Sequence, residues 1–416
     1  MNILISAYAC EPNKGSEPGV GWNLSMALSA KYKVFVLTRS NNKVPIDDFF
    51  RQRNRSNIQF LYYDLPCSLV KLKKIMGTQA YYFLWHLFAY FKVKKIIIKE
   101  SIDIIHHVTF NQYRTPSFGF FFNLPFVFGP VGGAEFINDV YKSELEESTI
   151  KRELLRKKGH GLKLFSFLSK LTSSPKAFLF SAQENKERLE QYIKSKHYIV
   201  DTFPAIGIDV NDFSSYSREV NANKAFTLIY AGRAEDWKGI HLFLDSLQIL
   251  KANDYLFKVK LIGIRFEKER MKVLKWISEF GLDTFVQVID FMPRNELIEQ
   301  ISSADLFVYP AFRDSGSMAV LEACALACPV VCFDVGGQEV FPADIILKVP
   351  VTVNSYNQIK DQFADQLVWA YNNREIICKM GINAQKIVIK NFTWEEKAKK
   401  IEIIYEEICS FKTSFA

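Results

Sequence analysis

Residues 314–329 read DSGSMAVLEACALACP: an acid, Asp314, a Ser-Gly-Ser turn, and a helix-like run that carries a second acid, Glu322, eight residues on. Pro329 ends the run, and Val330 and Val331 return as a strand. A helix that begins near Ser317 puts Asp314 in the loop before it and Glu322 in its second turn. Backbone N–H groups at a helix start have no intrahelical acceptor, and such donors bind phosphate. Carboxylates on either side of that turn suit hydroxyl groups. The combination fits a ligand made of a sugar, a diphosphate and a ribose; the competing reading is a surface helix with two unrelated acids.

Outward from this stretch the pattern is strand, loop, helix, strand. Phe226 opens FTLIYAGR, a strand entering a loop; Gly239 to Lys251 reads as a helix and Lys258 to Gly263 as a strand. Val286 to Phe291 and Leu306 to Tyr309 read as further strands, with a helix from Arg294 to Ala304 between them. The N-terminal half repeats the theme: strand Asn2 to Ala9, helix Leu24 to Lys31, strand Lys33 to Thr38, then strands at Ile58 to Tyr63, Ile102 to His107, Phe126 to Phe128 and Ala177 to Ser181. Such alternation predicts parallel sheets covered by helices. At 416 residues the chain exceeds one ordinary core, so two doubly wound α/β domains are expected. The polar, aperiodic segment Asp209 to Asn223 is the expected linker, and Trp394 to Cys409 reads as an amphipathic helix.

The Asp314/Glu322 spacing resembles the acid-x7-acid signature of the family-4 retaining glycosyltransferases, whose GT-B fold sets two Rossmann-like domains around a cleft. The first acid of that signature is usually Glu; here it is Asp314, one methylene shorter, so donor-sugar contacts differ. The resemblance implies an acceptor-binding domain over residues 1–208, a nucleotide-sugar domain over 209–393 and a final helix, 394–416, that crosses back to the first domain. It matches a second motif residue for residue: Gly232, Arg233, Lys238 and Gly239, after the first strand of the later domain. Two cations at a strand end can grip a diphosphate, Arg through a planar fork and Lys as a point charge. Glu322 is then expected to accept from ribose hydroxyls and Asp314 from a donor-sugar hydroxyl. Ser315, Gly316, Ser317 and Met318 supply the phosphate-facing turn.

Three further places carry expectations. The loop from Gly15 through Gly19 to Gly21 follows the first strand and resembles the family's glycine loop facing donor phosphates and acceptor; it lacks the third glycine of a dinucleotide fingerprint, which argues against a dehydrogenase. His106 and His107 end a strand where the family often carries a histidine beside the reacting carbon. Alternation sends them to opposite faces, so one of the two faces the crevice, with His107 favoured as the catalytic one and a buried, hydrogen-bonded histidine the competing reading for each. Gly132, Gly133 and Glu135 are acceptor-side candidates, Glu135 as an acceptor ligand or base. Two motifs depart from the family: Ala205 and Ile206 interrupt its usual Pro-Asn-Gly segment, and Gly263-Ile264-Arg265 lacks the common Gly-x-Gly-Pro.

The net charge of +8 is concentrated in the first half, in Lys71/Lys73/Lys74, in Lys92/Lys94/Lys95/Lys99 and in a cluster from Lys151 to Lys163. Beside the aromatic stretches 80–99 and 157–171 these clusters suit contact with an anionic membrane surface rather than with nucleic acid; the competing reading is a pair of core helices. The N-terminus has no basic n-region and reads directly as a strand, so no signal peptide is expected, and no apolar run is long enough to span a bilayer. The seven cysteines lack metal or disulfide spacing and read as packing residues in a reducing compartment. The expected activity is metal-independent, retaining transfer from a nucleotide sugar to an acceptor hydroxyl, on a lipid-linked or surface-polysaccharide glycan at the cytoplasmic face of the membrane. The alternatives are a GT-B-fold nucleotide-sugar epimerase, which would convert donor without acceptor, and a membrane-associated protein that binds nucleotide sugar without turnover.

Overall fold

A computed structural model describes residues 1–55, 57–213, 225–351 and 355–413, with side chains for all of these except 67–76, 78, 412 and 413. The chain divides into two compact units. One contains Met1–Ala134, Gly159–Gly207 and the chain from Trp394 onward; the other contains Glu135–Lys158 and Ile208–Thr393.

The first unit is built on strands β1 (Asn2–Ser6), β2 (Lys33–Thr38), β3 (Ile58–Tyr62), β4 (Ile104–His107), β5 (Phe126–Val131), β6 (Lys176–Phe180) and β7 (Tyr198–Thr202). They form one parallel sheet in the order β3-β2-β1-β4-β5-β6-β7. The second unit holds β8 (Phe226–Ala231), β9 (Phe257–Ile262), β10 (Val286–Ile289), β11 (Leu306–Tyr309), β12 (Val330–Phe333) and β13 (Leu347–Val349) in the order β10-β9-β8-β11-β12-β13, again parallel. Strands covered on both faces need no polar alternation. Accordingly β4, β5, β6, β11 and β12 are buried at every residue.

In each sheet the strand order reverses once at the middle, between β1 and β4 and between β8 and β11. The crevice outside the carboxyl ends of the strands at such a reversal is where open α/β sheets bind ligands. Four loops leave these strands: 7–15 after β1, 108–117 after β4, 232–239 after β8 and 310–317 after β11.

Several boundaries differ from the sequence reading. Residues 135–158 cluster with the second unit although they precede the linker, because Ile137 and Tyr141 are buried in its core and Tyr141 stacks on Phe312 at 3.9 Å. Of the expected linker, Asp209 to Phe213 belong to the second unit, where Ile208 pairs with Thr393, and 214–223 lie outside the described residues. The first helix starts at Ser16, well before Leu24, and runs to Ser29. Gly19 and Gly21 are therefore helical, and not part of a loop. They permit close approach: a Cβ on Gly19 would lie 2.1 Å from the Lys14 carbonyl oxygen, and one on Gly21 would lie 2.2 Å from that of Ala9. Strands β7 and β13 had no separate signal in the sequence.

Candidate functional site

The carboxyl ends of β8 and β11 bring Lys238 and Asp314 together. Trp237 accepts from the Phe312 N–H at 2.9 Å, which ties the two loops side by side. Gly239 then turns left-handed, with φ 68°, and any Cβ there would sit 2.0 Å from the Pro310 carbonyl oxygen, so only glycine fits. The helix Ile240–Ala252 begins immediately after it. Lys238 Nζ lies 2.9 Å from Asp314 Oδ2 and 2.8 Å from the Tyr309 hydroxyl. Tyr309 in turn donates to Asp314 Oδ2, and the Gly316 N–H donates to Asp314 Oδ1 at 3.1 Å. Burial disfavours both charges, but the ion pair and its hydrogen bonds outweigh it: the Asp314 carboxyl stays below, and the Lys238 amine above, its ordinary value. Both are charged at neutral pH, and each side chain is 17 % exposed.

The turn after Asp314 leads into the helix Met318–Ala325. Ser317 is fully buried, and its hydroxyl has no hydrogen-bond partner among the described residues. Met318 spends its N–H on the Gly316 carbonyl at 2.9 Å, so the phosphate-facing donor expected at Met318 is already engaged. Leu321 makes the first intrahelical bond, to Ser317. The N–H groups of Ala319 and Val320 fall in the first turn, where the helix offers no acceptor. The Gly337 N–H donates to the Asp314 carbonyl at 2.7 Å, which braces the turn from the loop after β12.

Arg233 and Glu322 form ion pairs of their own. Arg233 is 66 % exposed and pairs with Glu235 at 2.6 Å, while the Tyr230 hydroxyl donates to its carbonyl and holds the loop. The Gly232 N–H donates to Ile262 at 2.9 Å. Glu322 accepts from Arg294 at 2.6 Å, and Arg294 also reaches Asp212 at 3.4 Å. Sequence reasoning passed over Tyr309, Arg294 and the Gly336-Gly337 pair. The double glycine after β12 was a readable signal; the tyrosine and arginine gave none, because only the fold brings them to the acids.

In the first unit the two histidines point to opposite faces of β4, as alternation requires. His106 is fully buried: its Nε2 donates to the Gly129 carbonyl at 3.0 Å, and its Nδ1 accepts from Tyr405 of the C-terminal helix Trp394–Thr413 at 2.7 Å. His107 Nε2 lies 3.0 Å from the Thr109 carbonyl and 2.9 Å from the Tyr82 hydroxyl. A carbonyl only accepts, so Nε2 carries the proton and Nδ1 is a lone pair, which has no partner among the described residues. His86 stacks on this ring at 4.7 Å. Burial drives the His106 imidazole down to about 4 and that of His107 to about 3, so both are neutral near pH 7. Gly15 precedes the first helix with no atom within 4 Å of a Cβ. Gly132 donates to Asn111, and Gly133 accepts from Arg114. Glu135 is buried and belongs to the second unit, unlike the two glycines with which the sequence grouped it.

Comparison with known proteins bears on the family and the fold. Residues 213–387 match the family model described as glycosyl transferases group 1. The putative colanic acid biosynthesis glycosyltransferase WcaL of Salmonella typhimurium is 28 % identical over 133 residues, which are 30 % of this chain and 32 % of WcaL. The chain thus matches about a third of that relative's length. Among solved structures, sucrose-phosphate synthase from Thermosynechococcus elongatus is similar at a TM-score of 0.67 with 16 % identity, covering 98 % of this chain and 99 % of that one. Anabaena HepE in complex with UDP-glucose is similar at 0.60, also with 16 % identity, covering 98 % and 100 %. At such identities the likeness is one of fold, and the fold is GT-B, two Rossmann-like α/β units.

Proposed function

We propose, for a chain of GT-B fold whose residues 213–387 carry the group 1 glycosyltransferase match, that it moves a sugar from a nucleotide sugar to an acceptor hydroxyl with retention at the anomeric carbon, in the manner of family 4. The observation that carries this reading is the Lys238–Asp314 pair at the β8/β11 reversal, beside the first turn of the Met318–Ala325 helix.

The chemical problem is departure of the leaving group. The bond from the anomeric carbon to the diphosphate oxygen breaks, the acceptor oxygen forms the new bond on the same face, and the acceptor proton passes to the departing diphosphate oxygen. Negative charge grows on the diphosphate. Lys238, Arg233 and the free first-turn N–H groups answer it, and preorganised donors of this kind act most strongly in the transition state. The electrostatic work is assigned to these groups, and no metal ligand set enters the reading. Asp314, held in register by Tyr309 and the Gly316 N–H, accepts from a hydroxyl of the donor sugar. Glu322, steadied by Arg294, accepts from ribose hydroxyls. His107 is neutral and offers a lone pair rather than a charge. Retaining glycosidases place two carboxylates across the bond; here the acids have other partners, and no nucleophile is assigned.

The match to WcaL supports an acceptor in polysaccharide assembly, and HepE, solved with UDP-glucose, supports a uridine-linked donor. The acceptor is read as a lipid-linked glycan at the cytoplasmic face of a membrane. A thermal-shift screen against UDP-, GDP-, ADP- and dTDP-sugars identifies the donor, and NMR of the product made from it gives the anomeric configuration. An inverted product refutes retention. Conversion of donor without acceptor identifies an epimerase instead.

A further inference from the structure

The helix spanning Cys67–Lys99 leaves helical geometry at Gly77, where φ is 80°, so its second part is a separate element. One side of that part is locked into the core of the first unit. Tyr81, Tyr82, Trp85, His86, Ala89, Val93 and Ile96 are each 9 % exposed or less. The other side is apolar as well. Phe83 is 42 % exposed, Leu87 49 %, Phe88 41 %, Phe91 65 % and Ile98 74 %. Phe83, Leu87 and Phe91 follow one another at four-residue intervals and form a stripe. Lys94 and Lys95 stand exposed at its C-terminal end without an ion-pair partner among the described residues. Lys92 turns its amine to the Tyr62 carbonyl, and Lys99 pairs with Glu100. The whole stretch 67–99 contains no Asp or Glu.

From this face we infer that the Gly77–Lys99 helix lies on an anionic lipid bilayer, inserting Phe83, Leu87, Phe88, Phe91 and Ile98 at the headgroup boundary, with Lys94 and Lys95 against lipid phosphates. Charge selects the occupant. Contiguous exposed apolar side chains need cover. A second copy meeting the same face brings no acid from stretch 67–99 to neutralise Lys94 and Lys95, and a nucleic acid would leave the aromatic stripe exposed to water. An anionic interface satisfies both halves. Among the described residues no helix is long and apolar enough to cross a membrane, so the helix lies on the surface and does not span it. The second stretch expected to touch lipid, 157–171, contributes exposed Leu164 and Phe167, but it is divided between the two units and carries less of the argument. The inference deepens the reading of a lipid-linked acceptor and rests on it for its biological sense. It is tested without donor or acceptor, so either can fail alone.

The test is co-sedimentation of the full chain with vesicles of phosphatidylcholine alone and of phosphatidylcholine mixed with phosphatidylglycerol. The protein is expected to pellet with the mixed vesicles, to stay in solution with the neutral ones, and to be released in part by high salt. The double variant Leu87→Ser/Phe91→Ser changes only exposed side chains. It should keep its melting temperature while partitioning falls about tenfold or more. Lys94→Ser/Lys95→Ser should remove the preference for anionic lipid. The inference is overturned if the wild type ignores mixed vesicles, or if the apolar double variant binds them undiminished. It is equally overturned if the lipid-free wild type is a dimer that this variant turns into a monomer.

Discussion

The carboxyl ends of the two sheets share a reversal of strand order and have opposite chemistry. After β8 and β11 the second unit sets a charged pair, Lys238 and Asp314, with Arg233 exposed nearby in sequence and Tyr309 bridging the pair. After β4 the first unit sets His107 among Tyr82, His86 and Phe128, buried and neutral. The contrast follows from the proposed reaction. A diphosphate leaving group needs fixed positive charge where it departs, whereas a neutral sugar needs shape and hydrogen bonds. It also argues against either histidine as a general base, since an imidazole held at about 3 or 4 is a poor proton acceptor.

The charged half breaks most visibly. Lys238→Ala leaves the Asp314 carboxylate buried without its cation, so it should cost about 3–5 kcal/mol of stability together with activity, seen as a large fall in melting temperature. Arg233→Ala separates the two effects. Arg233 is 66 % exposed, so its loss should leave the melting temperature unchanged while turnover falls about 10²–10³-fold. Equal losses of stability in the two variants would erase the distinction between a buried ion pair and an exposed cation.

Tests of the neutral half have smaller effects. Tyr405→Phe removes the donor to His106 Nδ1 and strands a buried nitrogen; denaturant unfolding should show a loss of about 1–3 kcal/mol. Acid should act here too. Both imidazoles have folded values below the unfolded 6.5, so below pH 6.5 the unfolded chain binds protons that the folded chain does not. Stability should therefore decline as pH falls from 6.5 toward about 4 for His106 and about 3 for His107, by on the order of 1 kcal/mol per imidazole at pH 5.5. The charged pair is insensitive over that range. Asp314 is depressed and Lys238 raised, so that contribution holds through the neutral range and fades only at the acid and alkaline extremes. Unfolding curves that are flat between pH 7 and 5 would contradict the neutral assignment.

Much of this was readable because parallel sheets announce themselves. Runs such as FTLIYA, LFVY and VVCF are apolar throughout, and the strands they predict coincide with β8, β11 and β12 within a residue. The Lys238/Asp314 region was legible because its residues sit in short motifs beside those strands. What stayed hidden depends on the third dimension. The first helix absorbed Gly19 and Gly21 because glycine lets its backbone meet Lys14 and Ala9, and sequence alone does not separate that role from a ligand loop. Residues 135–158 joined the second unit through Tyr141, whose burial against Phe312 leaves no local signature. The Arg294–Glu322 pair joins residues 28 positions apart, and no periodicity reports such a pair.

The central claim is that the carboxyl-end crevice of the second unit grips a nucleoside diphosphate by charge. Calorimetric titration of wild-type and Arg233→Ala protein with UDP addresses it most directly, with no acceptor present. The account predicts binding by the wild type that weakens at least about tenfold in the variant and with rising salt. Indistinguishable affinities, insensitive to salt, would contradict it.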